Sequence, residues 1–144
     1  MDADFNYQSV PVSFVHCLKG ECKFAADCLR YQITLRMPAD RPFVTVVNPG
    51  SIQADGENCP HFREDKKIRF AYGMTHLYDI LPYKLANTIK RQLYNYFGRS
   101  MYYRIRNKER AITPQEQTYI QTVFEKQGVE EKPLFDEYRE QYDW

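Results

Sequence analysis

From Leu81 to Phe97 every fourth residue is apolar: Leu81, Leu85, Ile89, Leu93 and Phe97. Four is close to the helical repeat of about 3.6, so these side chains form one stripe, and Lys84, Asn87, Arg91 and Asn95 fall on the other faces. Such a helix is stable only when the stripe is buried against other elements. Gly98 is suited to end it in a left-handed cap. Ser100 is then placed to cap a second helix, SMYYRIRNK, with Met101 and Ile105 on its inner side. Thr113-Pro114-Gln115-Glu116 is a capping box with proline at the first helical position. The helix it opens carries Tyr119, Ile120, Val123 and Phe124 on its apolar face and stops at Gly128. A final short helix from about Pro133 to Tyr142 would turn Leu134, Phe135 and Tyr138 inward.

The first half of the chain reads differently. Residues 1–15 look extended, with Val10, Val12 and Phe14 alternating around Pro11 and Ser13. FAADCLRYQITLRM has helical spacing and is stopped by Pro38. Phe43 to Val47 reads as a strand closed by Asn48, Pro49 and Gly50. Residues 51–67 are polar and irregular. The expected fold class is α+β and helix-dominated: a cysteine-containing segment (1–67) with one or two strands, packed on a C-terminal bundle of three to four helices (68–144). At 144 residues the chain can bury a real core, so a metal is optional for folding.

All four cysteines, Cys17, Cys22, Cys28 and Cys59, lie in that first half. Thiolates bind zinc tetrahedrally or hold an iron–sulfur cluster, and four ligands from two chain regions suit either chemistry. The spacing C-x4-C-x5-C followed by C-x30-C departs from paired C-x2-C zinc templates, and Pro60 directly after Cys59 has some likeness to iron–sulfur ligation. His16 and His61 each adjoin a cysteine and could replace one as a ligand. Cys28 lies on a helical stripe, where core packing also explains it. Inert thiols and redox chemistry are the competing readings. The acidic N-terminus has no basic or continuous apolar leader, and no run of eighteen apolar residues occurs, so the expectation is a cytoplasmic protein without a membrane span. A reducing compartment disfavours disulfides and favours metal ligation.

A net charge of +1 conceals a separation. From Lys84 to Arg110 there are eight basic residues against the single acid Glu109, whereas from Gln115 to Trp144 there are eight acids against three bases. A basic middle suits an anionic partner, and an acidic tail can compete for it or pair with a second copy in a homodimer. Simple neutralisation within the fold is the plainer reading. FGRSMYYRIRNKER followed by AITPQEQTYIQTVFEKQG resembles helix-turn-helix regulators of the Cro/repressor type over about Ile89 to Gly128. The turn is tighter than theirs, and Arg99 stands where they usually carry a hydrophobic residue. That resemblance implies duplex DNA as partner and Arg99, Ser100, Tyr102, Tyr103, Arg104, Arg106 and Lys108 as the contacts. Over nearly the whole chain, CLKGECKFAADCLRY, VTVVNPG, NCPHFR, FAYGMTHLYDILP, YYRIRNKER, TPQEQ and YDW together resemble an uncharacterised family of small bacterial proteins, a domain of unknown function, which implies no mechanism.

Catalysis has little sequence support. No nucleophile elbow, P-loop or G-x-G-x-x-G is present, and Glu64-Asp65 and Glu130-Glu131 sit in polar runs. The functional expectation is a DNA-binding regulatory or accessory protein whose cysteines hold zinc, with an iron–sulfur cluster as the alternative species. Its rival is a metal-stabilised protein–protein adaptor that uses the aromatic, acidic C-terminus and binds no nucleic acid.

Overall fold

The every-fourth-residue stripe forms the helix expected of it. In the computed structural model, which describes residues 5–52 and 58–144, helix α2 runs Tyr83–Phe97 and buries Ile89 and Leu93 completely, with Leu81, Leu85 and Phe97 packed beside them. The chain forms two units by its internal contacts: residues 68–141, and residues 1–67 together with 142–144. The fold is α+β. Among the described residues the α-helices and strands are α1 (Leu29–Thr34), β1 (Lys67–Tyr72), α2, α3 (Arg99–Arg106), α4 (Pro114–Lys126) and β2 (Glu137–Tyr142), with β1 and β2 paired antiparallel.

In the second unit three helices supply most of the core. Tyr102 and Ile105 of α3 and Ile120, Val123 and Phe124 of α4 join Ile89 and Leu93, and Ala71, Met74, Leu77, Ile112 and Val129 complete the cluster. Tyr96 of α2 stacks on Tyr119 of α4 with ring centroids 3.8 Å apart. The capping box of α4 is fully formed: the Glu116 amide donates to Thr113 Oγ1 at 3.2 Å, and the Thr113 amide donates to the Glu116 carboxylate at 2.9 Å. Arg110 adds a two-pronged bond to the same carboxylate at 2.6 and 2.7 Å. Gly128, at φ 76°, ends the helix with its own amide and that of Val129 returned to the Glu125 and Phe124 carbonyls.

Gly98 alone separates α2 from α3, and it does so with φ 77° and ψ 159°, a conformation open essentially to glycine only. This differs from the left-handed cap expected there. Its carbonyl accepts the Tyr102 amide, so α3 starts at Arg99 and Ser100 falls inside the first turn without capping it.

The last segment is the larger correction. Of the residues expected to form a short helix from Pro133 to Tyr142, Glu137–Tyr142 form strand β2 instead, and its partner β1 occupies the start of the segment expected to be helical. Alternating charge and aromatic residues serve cation–π contacts across this pair: Arg69 sits 3.9 Å from the Tyr138 ring centroid and Arg139 4.4 Å from that of Tyr72. Gly73 follows β1 at φ 79°, and the Asp136 carboxylate lies where a side chain would begin. That carboxylate accepts bonds from the Thr75 amide and hydroxyl.

In the first unit Val10, Phe14, Leu29, Ile33 and Tyr142 form a separate core, flanked by Phe5, Tyr7 and Trp144. The helix expected over Phe24 to Met37 is reduced to α1, preceded by a 3-10 turn over Ala25–Asp27. Cys28 is extended between them because it makes an antiparallel bridge with Glu64, and the Leu29 amide donates to the Arg63 carbonyl at 2.7 Å. Long-range pairing here overrides helical spacing. The strand expected at Phe43 to Val47 is limited to one parallel bridge between His16 and Val46, which leaves Phe43 largely exposed. Tyr7–Ser9 is a 3-10 turn, not extended chain. The extended reading of residues 1–4 and the irregular reading of 53–57 lie outside the described residues.

Gly73→Ala meets both a disfavoured φ and the Asp136 carboxylate, whereas Gly98→Ala meets only backbone strain, having no atom within 4 Å of the new Cβ. Urea denaturation is expected to show a loss of roughly 1–3 kcal/mol for Gly98→Ala and a larger loss for Gly73→Ala.

Candidate functional site

The four cysteines arrive on three chain segments and line one cavity of about 10 Å³, room for a single water-sized atom. Cys17 follows the His16–Val46 bridge, and its amide donates to the Arg30 carbonyl at 3.2 Å. Cys22 starts the turn that leads to Ala25, and Cys28 occupies the extended position before α1. Cys59 comes from a segment thirty residues further along, where its carbonyl accepts the Phe62 amide at 3.1 Å. Cys28 is buried, the other three are half-buried, and all four are free thiols. Among the described residues no group of three or more His, Cys, Asp or Glu side chains is gathered tightly enough to hold a metal ion.

Arg30 ties these segments together. Its Nε donates to the His61 carbonyl at 2.8 Å and a terminal nitrogen donates to the Val15 carbonyl at 2.6 Å, fixing the segments that carry Cys59 and Cys17 against α1. Burial, then the nearby charge of Arg63, holds the Arg30 guanidinium below its ordinary pKa, while Cys28, Cys17 and Cys59 act in the opposite direction. Lys19 also lines the cavity and donates to the Ile52 carbonyl at 2.7 Å. Two cationic side chains, Arg30 and Lys19, therefore border the thiol-lined cavity.

The two histidines beside cysteines have different fates. His61 lines the thiol cavity. His16 is enclosed, and both its ring nitrogens are engaged, Nδ1 with the Phe14 carbonyl at 3.1 Å and Nε2 with the Tyr7 hydroxyl at 2.7 Å. The carbonyl can only accept, so Nδ1 carries the proton and Nε2 accepts from Tyr7. His16 therefore drops out as a candidate ligand. His76 pairs with Asp79 on an exposed loop at 2.7 Å.

The residues expected to contact DNA fall on α3 and just after it. Arg99, Ser100, Tyr103, Arg104 and Arg106 are exposed and share the side of α3 opposite Ile105. Tyr102 is a correction: it is completely buried, and its hydroxyl bonds that of Tyr78 at 2.9 Å, with burial pushing both hydroxyls up in pKa. It reads the protein core and not a base. Arg104 lies 4.0 Å from Glu109, and Lys108 lies 3.3 Å from Glu137. Arg104 and Arg106 stand in the last helical turn, where the helix dipole favours cations with no partner needed. Lys108 follows at φ 64°, a left-handed position usually given to glycine. Sequence reasoning missed the part of Arg30, which its place in an apparent helical run disguised.

An α+β protein with a small thiol-lined cavity in one unit and a basic helical face in the other is what the fold and site define. The chain belongs to the family of unknown function DUF6078, whose model matches residues 1–144. No curated protein and no solved structure matches it.

His16 supplies a pH test of this region. Burial holds its pKa below the ordinary value, so the unfolded chain binds the proton more readily. Its contribution to stability is complete above the ordinary imidazole pKa, about 6.5, and is lost as pH falls below it. The thermal midpoint is expected to drop from pH 7 to pH 5.5, and His16→Gln is expected to flatten that dependence while lowering the midpoint at pH 7.

Proposed function

We propose that Cys17, Cys22, Cys28 and Cys59 bind a single metal ion of the zinc class, and that the protein acts as a DNA-binding regulatory or accessory protein through the basic face of α3. The observation that carries the metal reading is the convergence of four thiols from three segments on one cavity. Thiolates are zinc's preferred structural ligands, and a tetrahedral site closes by drawing its ligands inward to about 2.3 Å from the metal. A cavity the size of one atom favours a single ion over an iron–sulfur cluster. Zinc with four thiolates carries two net negative charges, which Arg30 and Lys19 at the cavity wall offset. His61 is the replacement ligand should one thiolate stand off.

Reduced, purified protein is expected to carry about one zinc per chain. Elemental analysis with a visible spectrum checks this. A brown, iron-containing preparation would replace zinc with the cluster, and a metal-free preparation whose stability is unchanged by added zinc would remove the metal altogether. The Cys59→Ser variant is expected to lose the bound metal, since it removes the ligand brought by the distant segment.

The DNA reading rests on a specific observation of its own: among the described residues, Arg99 and Arg106 are exposed cations with no carboxylate within 4.0 Å. Such cations neutralise phosphates and release counterions. Ser100 and Tyr103 are the exposed groups beside them that could reach sugar or base edges. Binding to duplex DNA is expected to weaken with salt, and Arg104→Ala with Arg106→Ala to reduce the slope of log affinity against log salt by about 2. Absence of binding at low salt ends this reading and leaves the adaptor.

A further inference from the structure

Separate from the thiol cavity, the first unit holds an open cleft of about 260 Å³ whose walls combine two guanidiniums with two aromatic rings. The cations are Arg30 and Arg63, and the rings are Phe14 and Trp144. Phe14 and Trp144 meet edge to face with centroids 5.3 Å apart, and Arg30 lies over the Phe14 ring at 5.0 Å. Phe14 is also packed edge to face on the buried His16, so this wall is anchored in the core. Ser13 adds a hydroxyl to the lining.

The charge in this cleft is incompletely balanced. Arg63 donates to Asp143 at 2.8 Å, and that is the one ion pair given to either arginine among the described residues. Arg30 spends two of its nitrogens on the Val15 and His61 carbonyls, which orient it without neutralising it. The two guanidiniums repel one another, and Arg63 is the strongest influence after burial in disfavouring the Arg30 cation. Asp143 is the one side-chain carboxylate paired with either guanidinium among the described residues, and an added anion would relieve the repulsion between them.

The geometry points to a binding site for a small arylcarboxylate, with the carboxylate taken by Arg63 and Arg30 and the ring set against Trp144, which the buried Phe14 holds from behind. Guanidinium forks match a planar carboxylate, and the aromatic edges offer a complement to a flat ring. The volume lies just below the roughly 300–1,000 Å³ of most ligand pockets, which suits one ring and excludes a dinucleotide. The apolar wall separates this class from inorganic anions, which would use the arginines alone. Arg30 also lines the thiol cavity, but the anion site needs no metal there, so the two proposals stand or fall separately.

Trp144 is the chain's single tryptophan, so its fluorescence reports this cleft directly. The full chain is titrated at pH 7 with benzoate, with benzamide as the neutral analogue and acetate as the anion without a ring, and calorimetry serves as the second readout. Benzoate is expected to change the fluorescence saturably, with benzamide and acetate each binding at least about tenfold more weakly, since each lacks one half of the recognition. Arg63→Gln, a change at a half-exposed residue, is expected to weaken benzoate about tenfold with the circular dichroism spectrum unchanged. Asp143→Asn releases Arg63 from its partner and is expected to tighten benzoate severalfold, which provides a test even if Arg63→Gln misfolds. No saturable response to benzoate, equal binding of benzamide or acetate, or an unchanged or weaker affinity in Asp143→Asn would overturn the assignment.

Discussion

The first unit depends on one guanidinium. Arg30 sits on a helix of only six residues, too short to hold itself together, and binds the backbone carbonyls of two other segments at 2.6 and 2.8 Å. Its own carbonyl receives the Cys17 amide and the Thr34 hydroxyl. A region with so little regular structure needs such long-range polar ties, because its backbone donors and acceptors have few partners in helix or sheet. The same side chain then forms part of the wall of the thiol cavity and of the anion cleft. Positioning and electrostatics are therefore joined in one residue, and a lysine, with no fork to span two carbonyls, could not replace it.

The second unit is held by different means. Three helices with apolar faces, a glycine-only junction at Gly98 and a complete capping box at Thr113 give it a core of large aliphatic and aromatic side chains. Burial of Tyr102 and Ile105 fixes the rotation of α3, and that rotation decides which of its residues meet solvent. The basic side chains are outside because the apolar ones must be inside. Their exposure is compatible with nucleic-acid binding and is equally a requirement of packing, since pairing with Glu109 and Glu137 quiets only part of the charge.

How much was legible follows the range of the interactions. Helices α2 and α4 could be read to within a residue or two because stripe, proline, glycine and capping box lie within a few positions of one another. Strand β2 could not, because Tyr138, with Leu134 and Phe135 just before the strand, also fits a helical face, and the partner that pairs with Glu137–Tyr142 lies some seventy residues earlier. The helix over Phe24 to Met37 failed for the same reason, since Cys28 is drawn out by its bridge to Glu64. Cysteine content places four thiols in the first half of the chain, and the spacing of Cys59 says nothing about where that residue lies in space.

By itself the sequence determined the helical stripes, their stops, the separation of basic and acidic segments, and the presence of four thiols. Each of these is a property of residues close in the chain or of composition. Tertiary structure alone decided that the thiols share a cavity, that His16 and Tyr102 are enclosed, and that Arg30, Arg63 and Trp144 meet around one cleft. Those outcomes depend on chain closure over tens of residues. No local propensity encodes it, because the free energy that favours it comes from burial and hydrogen bonds made only after the segments have met.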